Sequence, residues 1–492
     1  MSRMPVYTGP LRARIAALDL EISAQKQRLV DLQASRDALD AELRCAAVFP
    51  IDTVPPEILS EIFVQCMPEY SSKVVGRDIA PVLLTRVCKS WARIATGTPE
   101  LWRNLFLELD PDSDWGEDTG PVECLHRWLQ NCKGWLRLEL FAEDRVHPQY
   151  SDVLERVAVD AASIRSLELN LYPDAMVQLA TMMHPGSLRL ENVVELKFVL
   201  RARGISDSVD WGRVSGGFAG MGMLRKVSLS RIPPFALSLP WSQITDLECR
   251  MDSGAEVLDA LRFLSNLARF KFDLSHRADG EDRSGWSPAT HIHLRHLAIA
   301  DFSADFESDE EPIHMLEFFT LPHLESLETD EVPAATLSAF IQRSDFPPLA
   351  VLDFSVPHEL CDTIIDLKYF HRLDRLHTVK ISDWGSNFAS AFFTDLGNES
   401  GFLPHLENLE VNGLSLDDEG FDDFMTILSM RQERRRSLRC FRLMFEKRGR
   451  WRTIIVPQHY QDTLREMKVD GLEVFIVCMD SGTVYWPVES SA

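Results

Sequence analysis

The stretch that decides the fold is "ITDLECRMDSGAEVLDALRFLSNLARFKFDL", residues 244–274. It contains two short segments, "LECRM" (247–251) and "FKFDL" (270–274), in which apolar and polar residues alternate. This period of two predicts β-strands with one buried and one wet face. Between them, "EVLDALRFLSNL" (256–267) carries apolar residues at helical spacing. Two strands joined by a helix predict a parallel pair with a helical crossover.

The strand pattern recurs along most of the chain. An apolar residue followed at +3 and +5 by two more begins at Trp135, Ile164, Val193, Leu224, Ile244, Leu267, Leu294, Leu324, Leu349, Leu376, Leu406, Leu438 and Leu464. Successive starts are 20 to 32 residues apart. Of the 39 positions at +2, +4 and +6, only seven are apolar, so each strand would expose one face.

Residues 121–485 therefore resemble a leucine-rich-repeat array of about 13 repeats. The resemblance implies an α/β solenoid, with a parallel sheet on its concave side and helices on its convex side. No Asn or Cys stands at +8 of any repeat, where many such repeats carry one. We therefore expect an irregular array.

The predicted concave face is rich in charge. Four cations lie on neighbouring repeats and form a candidate target-binding stripe: Lys226, Arg250, Arg269 and Lys271. Such a stripe would suit an acidic or phosphorylated segment of a target protein. The alternative is a mixed, solvated face, because three acids are interleaved with the cations: Asp246, Glu248 and Asp273.

A second kind of pattern precedes the repeats. The segments "VPPEILSEIF" (54–63), "LLTRVCKSWARIA" (83–95) and "PELWRNL" (99–105) have apolar residues at helical spacing and predict three short helices. Two prolines open the first of them, where proline is tolerated. In this order the segments resemble the F-box, the helical module by which substrate receptors dock onto the Skp-type adaptor of Skp–cullin–F-box ubiquitin ligases.

The resemblance implies an adaptor-binding module over residues 49–110. Its candidate adaptor-facing residues are Pro55, Ile58, Leu59, Ile62, Phe63, Val87, Cys88, Trp91, Leu101 and Trp102. Some of these must instead hold the three helices together. Cys88 has no adjacent His, so we expect it to pack as a small apolar residue. The stretch "MPEYSSKVVGRDIAP" (67–81) is longer than the turn usual between the first two helices of an F-box.

A heptad pattern occupies residues 11–43, within an N-terminal segment that we place at 1–48. Eight of its ten seam positions are apolar, and Gln25 and Arg36 are the exceptions. So narrow a stripe predicts a coiled-coil helix. Two arrangements remain open, a parallel homodimer and a helix folded back on the body of the protein. A heptad helix followed by such a module resembles a large group of fungal F-box-like proteins.

Composition narrows the possible partners. The 492 residues carry a net charge of −24, which disfavours binding to nucleic acid. No run of 18 apolar residues occurs, so we expect no membrane span. Nine scattered cysteines without a CxxC pair predict reduced thiols and a cytoplasmic or nuclear location, or both. His291, His293 and His296 lack a completing ligand, so we expect neither a metal nor another cofactor.

The sequence also lacks the motifs of common enzymes, such as GxSxG, HExxH and the phosphate-binding GxxxxGK[ST]. We therefore expect no enzymatic activity and no catalytic residue. The F-box resemblance implies a substrate-recognition subunit of a Skp–cullin–F-box ubiquitin ligase, whose repeats bind a target protein. The alternative is a dimeric leucine-rich-repeat scaffold with an F-box that no longer binds an adaptor.

Overall fold

The computed structural model describes residues 8–46, 51–68, 78–109, 120–142, 149–173, 175–176, 190–201, 211–216, 218, 220–274, 286–301, 314–356, 367–383, 388–398, 401–416, 425–426, 428–430, 437–447, 458–478 and 483–486. They fall into two compact units. The helical unit holds the described residues up to Leu101, and the sheet unit holds those from Trp102 onward.

The helical unit consists of helices and short turns. Its α-helices are α1 (Gly9–Ala46), α2 (Pro56–Gln65), α3 (Val82–Val87) and α4 (Lys89–Gly97). A 3₁₀ turn, Ile51–Thr53, precedes α2, and a second, Pro99–Trp102, follows α4. The sequence predicted one continuous helix over the segment that forms α3 and α4. That prediction is wrong, because the chain breaks at Cys88, whose backbone is extended.

The sheet unit has a mixed α/β fold. Its strands are β1 (Asn104–Glu108), β2 (Leu136–Ala142), β3 (Ile164–Leu171), β4 (Glu195–Leu200), β5 (Lys226–Ser230), β6 (Asp246–Met251), β7 (Arg269–Leu274), β8 (Ala289–Thr290), β9 (His296–Asp301), β10 (Phe319–Thr320), β11 (Ser326–Thr329), β12 (Val351–Val356), β13 (Thr378–Asp383), β14 (Asn408–Leu416), β15 (Cys440–Lys447), β16 (Glu473–Cys478) and β17 (Thr483–Trp486). Its α-helices are α5 (Pro121–Asn131), α6 (Tyr150–Val159), α7 (Trp211–Gly216), α8 (Gly254–Phe263), α9 (Ala334–Arg343), α10 (Phe388–Asn398) and α11 (Gln458–Val469).

The strands form one long sheet of 15 strands in the described part of the chain, and they follow sequence order from β1 to β17. Every pair from β1 to β16 is parallel, and β17 closes the far edge antiparallel to β16. The short strands β8 and β10 pair separately. The predicted α/β class with a parallel sheet is confirmed.

Side chains along each strand alternate between buried and exposed, so the sheet has one apolar face and one polar face. In β6, Leu247, Cys249 and Met251 are buried, while Glu248 and Arg250 are exposed. The exposed side of this and the neighbouring strands is called the open face below. The crossover helix α8 buries its own apolar stripe and contacts β6. Its N-terminus is capped by Ser253, whose hydroxyl accepts a hydrogen bond from the backbone N–H of Glu256 at 3.2 Å.

The repeat pattern locates the strands well, with one error. Twelve of the thirteen predicted starts lie no more than two residues before an observed parallel strand. The thirteenth, Leu464, lies in α11, because Leu464 and Met467 form the buried stripe of a helix. The true strand is β16, and the equivalent start position is Gly471, whose φ of +92° suits glycine.

One repeat start was missed. Trp102, Leu105 and Leu107 show the same +3 and +5 spacing and lead into β1. Asn104 of β1 pairs with Arg137 of β2, so Trp102 and Trp135 are equivalent positions of successive repeats. The sequence placed residues up to 110 with the helical module, whereas the sheet unit begins at Trp102.

Candidate functional site

The helical module, here α2, α3 and α4, has a small core of its own. Leu59 and Phe63 lie one turn apart on α2 and are both buried. The Phe63 ring packs against that of Trp91 on α4, with centroids 4.8 Å apart. Ile94 and Ala95 complete the buried face of α4. Aromatic and aliphatic burial therefore joins α2 to α4.

Local hydrogen bonds fix both ends of α4. Cys88 occupies the N-cap position, and its Sγ accepts a hydrogen bond from the backbone N–H of Trp91 at 3.4 Å. At the other end, the buried Thr98 hydroxyl donates to the carbonyl of Ile94 at 2.8 Å. Cys88 is exposed, so the prediction that it packs as an apolar residue is wrong. It serves as a helix cap instead.

The module also exposes apolar side chains in pairs. On α2, Ile58 is 54% exposed and Ile62 is 46% exposed, one turn apart. On α3, Leu83 is 40% exposed and Val87 is 53% exposed, with the same spacing. Both helices contact α4, which holds them in one compact body. Paired exposed aliphatic side chains of this kind mark a surface that can bind another protein.

Charged side chains are exposed on the same module as these apolar pairs. Glu57 and Glu61 are exposed one turn apart on α2, and Lys89 and Arg93 are exposed one turn apart on α4. The module thus carries an acidic helix and a basic helix beside its apolar pairs. A partner surface would be selected by both charge and shape.

The comparison with protein families identifies this module. Residues 51–108 match the family model described as F-box-like. The match spans the helical module and ends in β1. No curated protein matches the chain.

The structure sorts the predicted adaptor-facing residues of the F-box-like module. Four are buried: Leu59, Phe63, Leu101 and Trp102. Trp91 is half-buried against Phe63, and five are exposed: Pro55, Ile58, Ile62, Val87 and Cys88. The five exposed side chains can contact a partner without rearrangement, and adaptor contact stays a prediction for all ten residues.

Trp102 has a clear packing role in the sheet unit. Its ring meets that of Trp128 on α5 edge to face, with centroids 4.9 Å apart. The Trp128 indole N–H donates to the carbonyl of Asn104 in β1 at 2.9 Å. Trp102 therefore belongs to the first repeat of the sheet.

One exposed residue of the F-box-like module, Leu83, is not among the ten predicted adaptor-facing residues. Leu83 shares the exposed side of α3 with Val87, four residues away. Its signal was the same helical spacing that selected Ile58 and Ile62. The break at Cys88, which helical spacing does not predict, separates Leu83 and Val87 from the buried stripe of α4.

The predicted target-binding cations lie on the open face of the sheet. Lys226 is on β5, Arg250 on β6, and Arg269 and Lys271 on β7, so the structure brings them onto three adjacent strands. Arg269 pairs with Asp246 at 2.9 Å, and Lys271 pairs with Glu248 at 3.1 Å. The hydrogen bond to Glu248 raises the pKa of Lys271.

In this part of the open face, cations of one strand form ion pairs with acids of the neighbouring strand. The same pattern recurs further along, where Lys380 of β13 pairs with Asp353 of β12 at 3.1 Å. On β3, the carboxylate of Glu168 is mostly buried, between Lys197 at 2.6 Å and Arg137 at 3.4 Å. Complementary charges on neighbouring strands stabilise the sheet modestly and present alternating signs to a ligand.

The histidines of residues 291–296 differ in burial. His291 is buried and His293 is exposed, and the described residues contain no group of three or more metal-ligating side chains. Within the described part of the chain, no helix has both the length and the hydropathy needed to cross a membrane. Burial raises the pKa of the Cys124 thiol to about 12, which disfavours its reactive thiolate form.

Proposed function

We propose that this protein is the non-catalytic substrate-recognition subunit of a Skp–cullin–F-box ubiquitin ligase. Its F-box-like module would dock the Skp-type adaptor, since F-box domains generally bind such adaptors, and its sheet unit would hold a target protein. The observation that carries the proposal is the exposure of four aliphatic side chains on α2 and α3, inside the segment that matches the F-box-like family.

The exposed pairs suit docking on energetic grounds. Burying an exposed aliphatic side chain contributes roughly 25 cal/mol per Å² of apolar surface. The four side chains stand on α2 and α3, which both pack against α4, α2 through the Phe63–Trp91 contact. Little ordering of the module is then needed on binding, which favours affinity.

In this proposal the chain does no covalent chemistry. The ligase would transfer ubiquitin to a target lysine, and the chain would raise the effective concentration of that lysine near the ligase. The proposal needs no metal or cofactor, and it places the protein in the cytoplasm, the nucleus or both.

The target surface in this proposal is the open face of the sheet. Its alternating charges on β5, β6 and β7 would select a target segment with a complementary pattern. Lys226, Arg250, Arg269 and Lys271 would supply the positive charge for an acidic or phosphorylated segment, which would compete with Asp246 for Arg269 and with Glu248 for Lys271. Proximity labelling in cells, with and without the F-box-like module, would identify the target.

Adaptor binding is tested with surface substitutions. The double variant Ile58→Asp, Ile62→Asp places charge on the exposed side of α2 without touching Leu59 or Phe63. We expect it to weaken binding to a purified Skp-type adaptor by at least about 100-fold, measured by isothermal titration calorimetry. Ile292→Asp is the matched control, because Ile292 is a 55% exposed isoleucine of the sheet unit.

The outcomes separate the two candidate functions. Loss of binding in the double variant alone, with unchanged circular dichroism, supports the receptor. If the intact protein fails to bind the adaptor at micromolar concentration, the receptor proposal is wrong. The dimeric scaffold with a non-functional F-box then becomes the better account.

A further inference from the structure

Helix α1 carries an exposed apolar seam. The eight apolar seam residues are between 50% and 70% exposed: Leu11, Ile15, Leu18, Ile22, Leu29, Leu32, Leu39 and Leu43. An apolar stripe this exposed needs a partner.

The residues at the seam positions favour a coiled coil of two parallel helices. Positions a of the heptad are Ile15, Ile22, Leu29, Arg36 and Leu43, and positions d are Leu11, Leu18, Gln25, Leu32 and Leu39. Isoleucine at a with leucine at d is the combination typical of parallel dimers. Between Leu18 and Leu29, Glu21 and Lys26 flank the seam.

We propose that α1 pairs with α1 of a second copy of this chain, as a parallel, in-register two-stranded coiled coil. The flanking charges support this partner. In that arrangement, each g residue faces the e residue five positions later on the other helix. Arg14 then faces Asp19 of the second copy, and Glu21 faces Lys26 of the second copy. The remaining pairs, Arg28 with Gln33 and Ser35 with Asp40, contain no like charges.

The antiparallel arrangement that keeps all ten seam positions paired is less favourable. It places Arg14 opposite Glu42 and Arg12 opposite Asp40, but it also places Arg28 opposite Arg28 and Lys26 opposite Lys26 of the second copy. Like charges face each other at the centre of that dimer, and such pairs are destabilising. The charge pattern thus selects the parallel partner.

Two seam positions are polar, and both fit the parallel register. Gln25 meets Gln25 of the second copy, where the two amides can hydrogen-bond to each other. Arg36 meets Arg36, at a cost in stability. That cost is reduced because the guanidinium already donates hydrogen bonds to Asp37 of its own helix, at 2.7 Å and 3.1 Å. Polar residues at isolated seam positions fix register and oligomer state.

The test uses full-length variants and the dissociation constant of the dimer, measured by analytical ultracentrifugation. Glu21→Lys places lysine opposite Lys26 in the parallel dimer and should weaken the dimer about tenfold. Adding Lys26→Glu to that variant should restore the affinity. Glu42→Lys is the matched control, with the same substitution at the same heptad position. In the parallel dimer it has no charged partner, so the affinity should stay within about twofold.

The result that Glu21→Lys alone weakens the dimer, and Lys26→Glu rescues it, supports the proposal. Weakening by Glu42→Lys would indicate the antiparallel arrangement, and a dimer indifferent to all of these variants would place the interface elsewhere. A wild-type chain that is monomeric at tens of micromolar would also overturn the proposal. Circular dichroism verifies that each variant keeps its helix. Adaptor binding is measured separately, so the dimer can fail while the receptor stands.

Discussion

Trp102 and Trp135 occupy equivalent positions of neighbouring repeats but have different environments. Trp102 is fully buried against Trp128, whereas Trp135 is 41% exposed with the Arg103 guanidinium over its ring. We expect Trp102→Ala to lower the free energy of unfolding of the sheet unit by about 3–5 kcal/mol, since it opens a cavity. Trp135→Ala should cost about 1 kcal/mol. Urea unfolding followed by circular dichroism measures both, and equal costs would contradict this assignment of Trp102.

His291 gives the sheet unit a dependence on pH. Its side chain is buried, one ring nitrogen lies 2.9 Å from the carbonyl of Leu264, and burial lowers the pKa of the imidazole. Above about pH 6.5, His291 is neutral in both the folded and unfolded chains and adds no pH dependence. Below that, the unfolded chain binds the proton more readily, so stability falls as the pH falls.

We therefore expect wild type to lose stability faster than His291→Gln between pH 6.5 and 5, by no more than about 1.4 kcal/mol per pH unit. Thermal unfolding across this range measures the difference. His323→Gln serves as the control, because His323 is exposed. The same pH slope in wild type and His291→Gln would show that His291 is not the group responsible.

Single residues were the hardest features to predict. The order of apolar residues identified the F-box-like segment, but it did not separate Ile58, which is exposed, from Leu59, which is buried. Both are aliphatic and adjacent, and only the position of α4 decides between them. Cys88 was misplaced for a related reason, since helical periodicity continues across the break that its extended backbone makes.

At the scale of elements, the sequence predicted strands better than it predicted helix boundaries. The alternation of apolar and charged residues requires one buried and one wet face, and a parallel sheet supplies both. The spacing wrongly predicts a strand at Leu464, where a helix shares it, and it does not predict β16, because Gly471 stands where the first apolar residue would be. Spacing of +3 belongs to both structures, so length and neighbours must decide between them.

On the scale of the whole molecule, the sheet ends in β1 at one edge and in β17 at the other. β17 is antiparallel to its neighbour β16 and pairs with it through Trp486 and Ile476. A chain truncated after Cys478 would leave β16 as an open edge, and exposed edges recruit other chains. We expect this truncation to aggregate on warming, as measured by light scattering. A chain truncated after Trp486 keeps β17 and should behave as the full-length protein does; similar aggregation of both would contradict a protective role for β17.

The crossovers between strands also differ in length, although the strands keep a common register. Between β5 and β6 the chain passes through two 3₁₀ turns, Pro234–Ala236 and Trp241–Gln243, whereas β6 and β7 are joined by the ten-residue helix α8. Insertions and deletions can thus accumulate in the crossovers while the strand ladder stays intact. In protein engineering, the crossover between β5 and β6 and the one between β6 and β7 are therefore the segments whose length can be changed while the pairing of these strands is kept.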